Sequence, residues 1–490
     1  MGYESDTGTL EERVEAARQR HPTAAAPVVL GDDAVRLIGA GLLQRYYGAP
    51  YDPSGTFREV PLAAEPLAID LRDTTRAKGL GPRQLKARWR AFRSYWTGHL
   101  LSVTGDHFTL IALPLAADRV SHSALIVGLV VFAETLSTVL LGTAAGTYAD
   151  RRSPIPTMLT TDSARAVLLL ALAMLEWSGS LTSWMVIAMS FVLGALRLLH
   201  DGAESAFVAG LVPEELDVKS QARITLSENI GSTIGPLAAG AASSVGLWVA
   251  FGVDGITFIA AVAAVGYVAR LAHRRDLFLG AAGRSLPDGE DAPTYREDLF
   301  ATFRIIGGQP KFVAILVVAA LFNLLTLPVG AQFISLARDL GLGGVGIGVM
   351  FALTGIAGIV TAPLVERGDS IRPGWLVLST GGIGAAVLIA GLFPSVATVA
   401  VAFVVAGAGF AVAFTHYAAM RQRLFPPETQ GRVALASRTV LWSTVLLGSV
   451  LTGWLAEVRG ASAMWVVCGA AGVLTALVGS AAGMLRMRID

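Results

Sequence analysis

Glu134 stands in the apolar run Val131-Phe-Ala-Glu-Thr-Leu-Ser, and Asp106 interrupts a second run between Leu100 and Leu113. A carboxylate in such surroundings must face a cavity, find a partner or take up a proton, because an exposed charge in hydrocarbon costs several kcal/mol. Withdrawal from water favours the neutral form of a carboxyl, so a group that gains and loses contact with water can gain and lose a proton. Glu134 is therefore the first candidate for proton coupling. The alternative is a structural carboxylate bonded to a neighbouring helix, the usual fate of a buried polar group. For Asp106 that structural pairing has at least equal weight. Thr225, Glu228, Asn229 and Ser232 recur at helical spacing and make Glu228 a third acidic candidate.

Basic side chains offer the complementary chemistry. Arg197, His200, Asp201 and Glu204 share one helical face. Arg197 is placed to hold a substrate anion or a deprotonated carboxylate, or to close an internal pair with Asp201. Arg438 lies about two turns into another apolar stretch, where it would neutralise an acid across the molecule or extend to the interface. Asp254 reads as a partly solvated polar anchor. Trp96, Phe108, Phe322, Asn323, Phe351, Phe414, Tyr417 and Trp442 are the candidate lining of a substrate pocket, which should be apolar with a few directed polar groups. His416, near a helix end, reads as a hydrogen-bonded packing residue.

These residues need elements to position them, and composition says what those are. The chain has 490 residues, 53% of them hydrophobic and only 15% charged, with a formal net charge of +1 and a mean hydropathy of +0.59. Soluble domains carry about a quarter charged residues, so this chain lacks the polar surface for water. A single cysteine, Cys468, excludes an intrachain disulfide framework and a paired-cysteine metal knuckle. Nucleic acid is not an expected partner, since no basic tract is long enough to track a phosphate backbone. Neither a Walker A loop, HExxH, GxSxG nor an EF-hand occurs, so ATP-driven pumping, hydrolysis, cofactors and metals lack support and an enzyme is not expected.

Apolar segments fall near 95–117, 124–147, 156–177, 183–199, 223–243 and 248–271, then near 312–336, 345–365, 373–392, 396–417, 432–456 and 461–485. Most approach the roughly twenty residues a helix needs to cross the bilayer with its amides satisfied internally. The fold expected is all-α and polytopic: twelve transmembrane helices in two pseudo-symmetric six-helix bundles. Arg83, Lys86, Arg88, Arg90 and Arg93 precede the first span, and Arg151, Arg152, Lys219, Arg223, Arg270, Arg274, Arg275, Arg367, Arg372, Arg421 and Arg423 mark every second loop. The alternate loops are nearly bare, with Arg119, Arg338 and Arg459 the exceptions. The positive-inside rule then places both termini in the cytoplasm of a cell-membrane protein.

Four regions follow: a polar extension at 1–90, a first bundle at 91–271, a cytoplasmic linker at 272–311 and a second bundle at 312–490. The extension lacks the apolar core of a signal peptide and would dock on the membrane domain, stay disordered or recruit a cytoplasmic partner. Six spans, a charged linker and six more spans is the layout of a transporter with its binding cavity between repeated halves.

Particular motifs extend this reading. Gly146-Thr-Tyr-Ala-Asp150-Arg151-Arg152 resembles the signature loop of the major facilitator superfamily. Thr161-Asp162-Ser-Ala-Arg165, Leu211-Val212-Pro213-Glu214-Glu215-Leu216 and Pro427-Glu428-Thr-Gln-Gly431-Arg432-Val433 are similar to the branch of enterobactin-type siderophore exporters and macrolide or tetracycline efflux pumps. The resemblance covers about 92–486. Ser153 and Pro154 follow Arg152 and the later basic pair of the signature, whose usual form is Gly-x-x-x-Asp-Arg-x-Gly-Arg-Arg, is missing, so a weaker interdomain latch is expected. Gly231-Ser-Thr-Ile-Gly235-Pro236-Leu-Ala-Ala-Gly240 resembles the glycine-proline motif of the family's antiporters; ordinary small-residue packing is its plainer reading.

The resemblance implies proton-coupled export of a small amphipathic compound (a drug, siderophore or secondary metabolite) by alternating access. Glu134, Asp106 and Glu228 would handle protons, and Gly146, Asp150, Arg151, Arg152, Gly235, Pro236 and Arg432 would gate. Arg197, Phe322, Asn323, Trp442 and Arg438 would meet the substrate. The partners expected are that substrate, protons and the lipid bilayer. Import by the same fold, or a membrane scaffold acting through 1–90, are the alternatives.

Overall fold

The computed structural model describes residues 82–151, 153–212, 214–275, 302–366 and 372–487. The extension up to residue 81 and most of the linker thus lie outside the described residues. Thirteen helices of eleven residues or more make up the described chain. In the first half these are α1 (Pro82–Ser121), α2 (Ala124–Arg151), α3 (Pro154–Trp177), α4 (Ser183–Leu211), α5 (Glu214–Val245) and α6 (Leu247–Arg275). The second half has α7 (Pro310–Leu325), α8 (Val329–Asp339), α9 (Gly344–Glu366), α10 (Pro373–Leu392), α11 (Val396–Leu424), α12 (Pro427–Arg459) and α13 (Ala461–Ala481).

The helix ends follow local chemistry. Proline opens α3, α7, α10 and α12, where a missing amide hydrogen costs nothing. Ser395 and Thr398 form a reciprocal capping box at the start of α11. Gly460, at φ 86°, turns the chain between α12 and α13 in a conformation a side chain would strain.

Among the described residues, eleven stretches are long and apolar enough to cross a membrane. The twelfth expected crossing is α5, whose 32 residues suffice in length. Its polar run Thr225, Ser227, Glu228, Asn229 and Ser232 sets it apart from the others. Pro310–Asp339 counts as a single span, yet it is not the continuous helix that 312–336 suggested. It breaks between Leu325 and Val329, where Pro328 has no amide hydrogen to continue the ladder. Such a break is tolerated at membrane depth where it lines a cavity.

Each half has its own packing, and the halves meet along α5 against α9 and α2 against α12. Glycines bring these backbones together: a Cβ on Gly240 would collide with Gly344, and one on Gly128 would lie 3.2 Å from Gly453. Pro236 leaves the Ser232 carbonyl without its helical donor, and that oxygen lies 3.2 Å from where a Gly355 Cβ would be. At the end where α1 joins α2, polar groups also tie the halves. Arg338 pairs with Asp118 at 2.8 Å, Gln332 donates to the Ala124 carbonyl at 3.2 Å, and Ser123 donates to Glu457 at 3.0 Å. Two of the three arginines that departed from the loop pattern are thereby neutralised, since Arg119 pairs with Glu176 at 3.0 Å.

Candidate functional site

A cavity of about 480 Å³ lies between the halves. From the first half, Asp106 and His107 of α1, Glu134, Thr135 and Thr138 of α2, and Arg197 and Asp201 of α4 reach its wall. From the second half come Phe351, Phe403, Phe410, Trp442 and Trp465, with Arg438 as the charged contributor. The broken segment Thr326–Ala331 lines the same space, so the break in the seventh span faces the cavity. One wall is therefore polar and ionisable, the other aromatic.

Glu134 owes its place to Gly194. A Cβ there would fall 2.5 Å from Ser137 Oγ and 3.3 Å from Glu134 Cγ. The bare backbone of α4 thus lets the glutamate pass toward the cavity. No ion pair or side-chain hydrogen bond holds Glu134 or Arg197 among the described residues, although both line the cavity. The expected alternative, an Arg197–Asp201 pair, does not form there. Arg438 and Trp442 are exposed to the cavity.

Asp106 is differently placed. It accepts from the Arg165 guanidinium of α3, which also stacks over the Phe258 ring 4.0 Å from its centroid. Asp254, expected as a partly solvated anchor, is instead 1% exposed. It takes hydrogen bonds from Thr109 and Thr257, because a carboxylate buried between α1 and α6 must be satisfied. Glu228 borders an adjoining side cavity of about 290 Å³ between α1, α4 and α5, which shares Asp106, Arg197 and Asp201 with the central one, and is absent from the central wall. Phe322 packs edge-to-face on Phe410, and neither it nor Asn323 reaches the central wall. Phe414 is 76% exposed and also lies off the wall.

Among the gating candidates, Gly235 lets α5 approach α1: a Cβ there would meet His107 Cβ at 2.5 Å. The Pro236 carbonyl abuts Gly348 of α9. Gly146, Asp150 and Arg151 belong to the last turns of α2, where side-chain placement, together with Arg152, lies outside the described residues. Arg432 is exposed on the first turns of α12 and takes part in an interaction there. His416 is buried and bonded to the Val412 carbonyl, as a packing residue should be.

Sequence reasoning gave no role to Tyr95 or His99. His99 Nδ1 lies 2.9 Å from Glu204, which also accepts from Tyr95 at 2.5 Å. A histidine inside the first apolar span was the available signal. Asp162 and Arg165 entered only as part of a motif, although two opposite charges one turn apart in an apolar helix ask for partners.

No curated protein matches the sequence. Among solved structures, a bacterial homologue of the iron transporter ferroportin in an inward-facing state is similar at TM-score 0.60 and 18% identity, over 80% of this chain and 98% of that one. The nucleoside transporter NupG is similar at TM-score 0.60 and 13% identity, over 81% and 100%. A bacterial homologue of the human lysosomal transporter Spinster, inward-facing and unoccupied, is similar at TM-score 0.60 and 14% identity, over 84% and 100%. At these identities the likeness is one of fold. The family model of the Major Facilitator Superfamily matches residues 95–440, and with a cavity between two helical halves already in place, this multi-pass membrane protein belongs to that superfamily of transporters.

Proposed function

We propose that the protein is a proton-coupled secondary transporter that exports a small amphipathic compound by alternating access, in the manner of the siderophore and drug efflux branch its motifs resemble. The observation that carries this reading is the two-sided cavity. Its aromatic wall suits an apolar body, while Glu134 and Arg197 on the other wall suit a proton and a polar group. Glu134 is the coupling residue: protonated, it no longer attracts Arg197, and the balance between inward- and outward-open states shifts. Asp106 positions that wall through Arg165, and Glu228 serves the side cavity.

The arginine pattern puts the α1–α2 end outside. On that orientation the contacts there close the outer side, the arrangement of an inward-facing state. Gly146, Asp150, Arg151 and Arg152 would close the cytoplasmic side in the opposite state, and Gly235-Pro236 would let α5 slide on α9. A susceptibility and dye-efflux panel in an efflux-deficient host, with and without a protonophore, tests the reading. Protonophore-sensitive extrusion supports it; protonophore-insensitive extrusion, or accumulation instead of extrusion, contradicts it.

A further inference from the structure

The first half contains a second set of titratable side chains that the central cavity does not use. Asp162 of α3 has no exposure, and neither of its oxygens accepts a well-directed hydrogen bond. His200 Nδ1 lies 2.8 Å from Asp162 Oδ1, and His200 Nε2 lies 3.9 Å from Glu204 Oε2. Glu204 Oε1 in turn lies 2.9 Å from His99 Nδ1, and His99 Nε2 is buried without a partner. The result is a chain of alternating carboxylates and imidazoles running from α3 through α4 to α1.

With both imidazoles neutral this chain carries two buried negative charges; with both protonated it is neutral. Uncompensated buried charge is strongly unfavourable, and the arginine on the same helix as Asp162 is already engaged elsewhere. Arg165 is taken by Asp106. Arg197 and Asp201 of α4 and Glu228 of α5 border the side cavity, Asp254 lies behind on α6, and Tyr95 is a neutral donor to Glu204. Arg197 thus shares the side cavity with Asp106, Asp201 and Glu228 as well as Glu204. His99, His200 and Glu204 all reach the side cavity, which gives protons from water a route to them.

We propose that Asp162, His200, Glu204 and His99 form a proton-binding site inside the first half, filled through the side cavity and separate from Glu134. Because α4 carries both this site and Arg197, its proton load changes the hold of α4 on α1 and α3 and the field at the central cavity. The proposal deepens the proton-coupled reading above, but its test does not need transport.

The full-length protein in lipid nanodiscs, with its seven histidines labelled with nitrogen-15, is titrated by NMR from about pH 5 to 9. His99→Gln and His200→Gln assign the two signals. The expected result is a linked protonation change at both histidines. Glu204→Gln displaces both midpoints by about one pH unit, Asp162→Asn displaces that of His200, and Glu134→Gln moves neither. Histidines that keep one protonation state throughout, or that respond to Glu134→Gln and not to Glu204→Gln, overturn the site. If Glu204→Gln does not yield folded protein, the Asp162→Asn effect on His200 decides alone. Failure of proton-coupled transport would show in flux assays and leave this titration unchanged.

Discussion

The two halves share an architecture and divide the chemistry. The first half buries charge: Asp106 on Arg165, Asp162 on His200, Glu204 on His99 and Asp254 on two threonines. In the second half aromatic rings pack together beside the cavity. Phe333 packs on Phe403 with centroids 4.7 Å apart, Phe351 lies 5.3 Å from Phe403, and Trp465 lies 6.2 Å from Phe333. Glycines bring α10 and α13 into backbone contact at Gly384, Gly469 and Gly472. The seventh span breaks between Leu325 and Val329, whereas its counterpart α1 runs on past Pro114. A duplicated bundle can thus give one copy to ions and the other to apolar bulk, with the cavity at the seam taking a wall from each.

Breaking this division should give different signatures on its two sides. The largest effect belongs to Arg165→Met, which removes a buried guanidinium and leaves the half-buried Asp106 without its partner. A loss of about 3–5 kcal/mol is expected, read as thermal unfolding in detergent, with substantial recovery in the Asp106→Asn, Arg165→Met double variant. Phe403→Ala attacks the other half by volume, with a loss of about 3 kcal/mol from lost packing and the cavity left behind. Its loss should be insensitive to pH between about 5 and 9, where no aromatic hydrocarbon titrates. Charge-dependent behaviour in Phe403→Ala, or none in Arg165→Met, would undo the contrast.

Gly194→Ala sits between these extremes. The added methyl must displace Ser137 Oγ and crowd Glu134 Cγ, costing about 1–3 kcal/mol. Proton-coupled flux should fall further than the loss of folded protein explains. The smallest effect is expected from Arg338→Gln at the end joining the halves, because the Arg338 side chain is 43% exposed. Such a pair contributes about 0–1 kcal/mol, so stability should barely change. A bifunctional thiol reagent should join the two cysteines of an Asp118→Cys, Arg338→Cys variant in this conformation and lose yield when substrate opens that end.

How much of this was legible depended on what each pattern constrains. Apolar length delivered eleven of the twelve expected spans among the described residues, and Glu134, Arg197, Arg438 and Trp442 all line one cavity. Helix rotation was harder to read. Phe322 and Phe414 have the same local appearance as Phe351, yet only Phe351 reaches the central wall, because lipid and an apolar cavity select the same side chains. Long-range pairing was also hidden. Nothing in the local sequence joins Asp106 to Arg165, 59 residues away, or Tyr95 to Glu204, 109 residues away. Proline alone did not reveal the break at 326–328, since Pro114 and Pro236 sit in continuous helices whose neighbours absorb the lost bond.

The account turns on Glu134 exchanging a proton at the cavity seam. The direct measurement is efflux of a transported dye from proteoliposomes holding wild type or Glu134→Gln, with and without an imposed pH gradient. The account predicts that Glu134→Gln still equilibrates the dye but no longer concentrates it against its gradient. Uphill transport driven by the pH gradient at the wild-type rate in Glu134→Gln would contradict it.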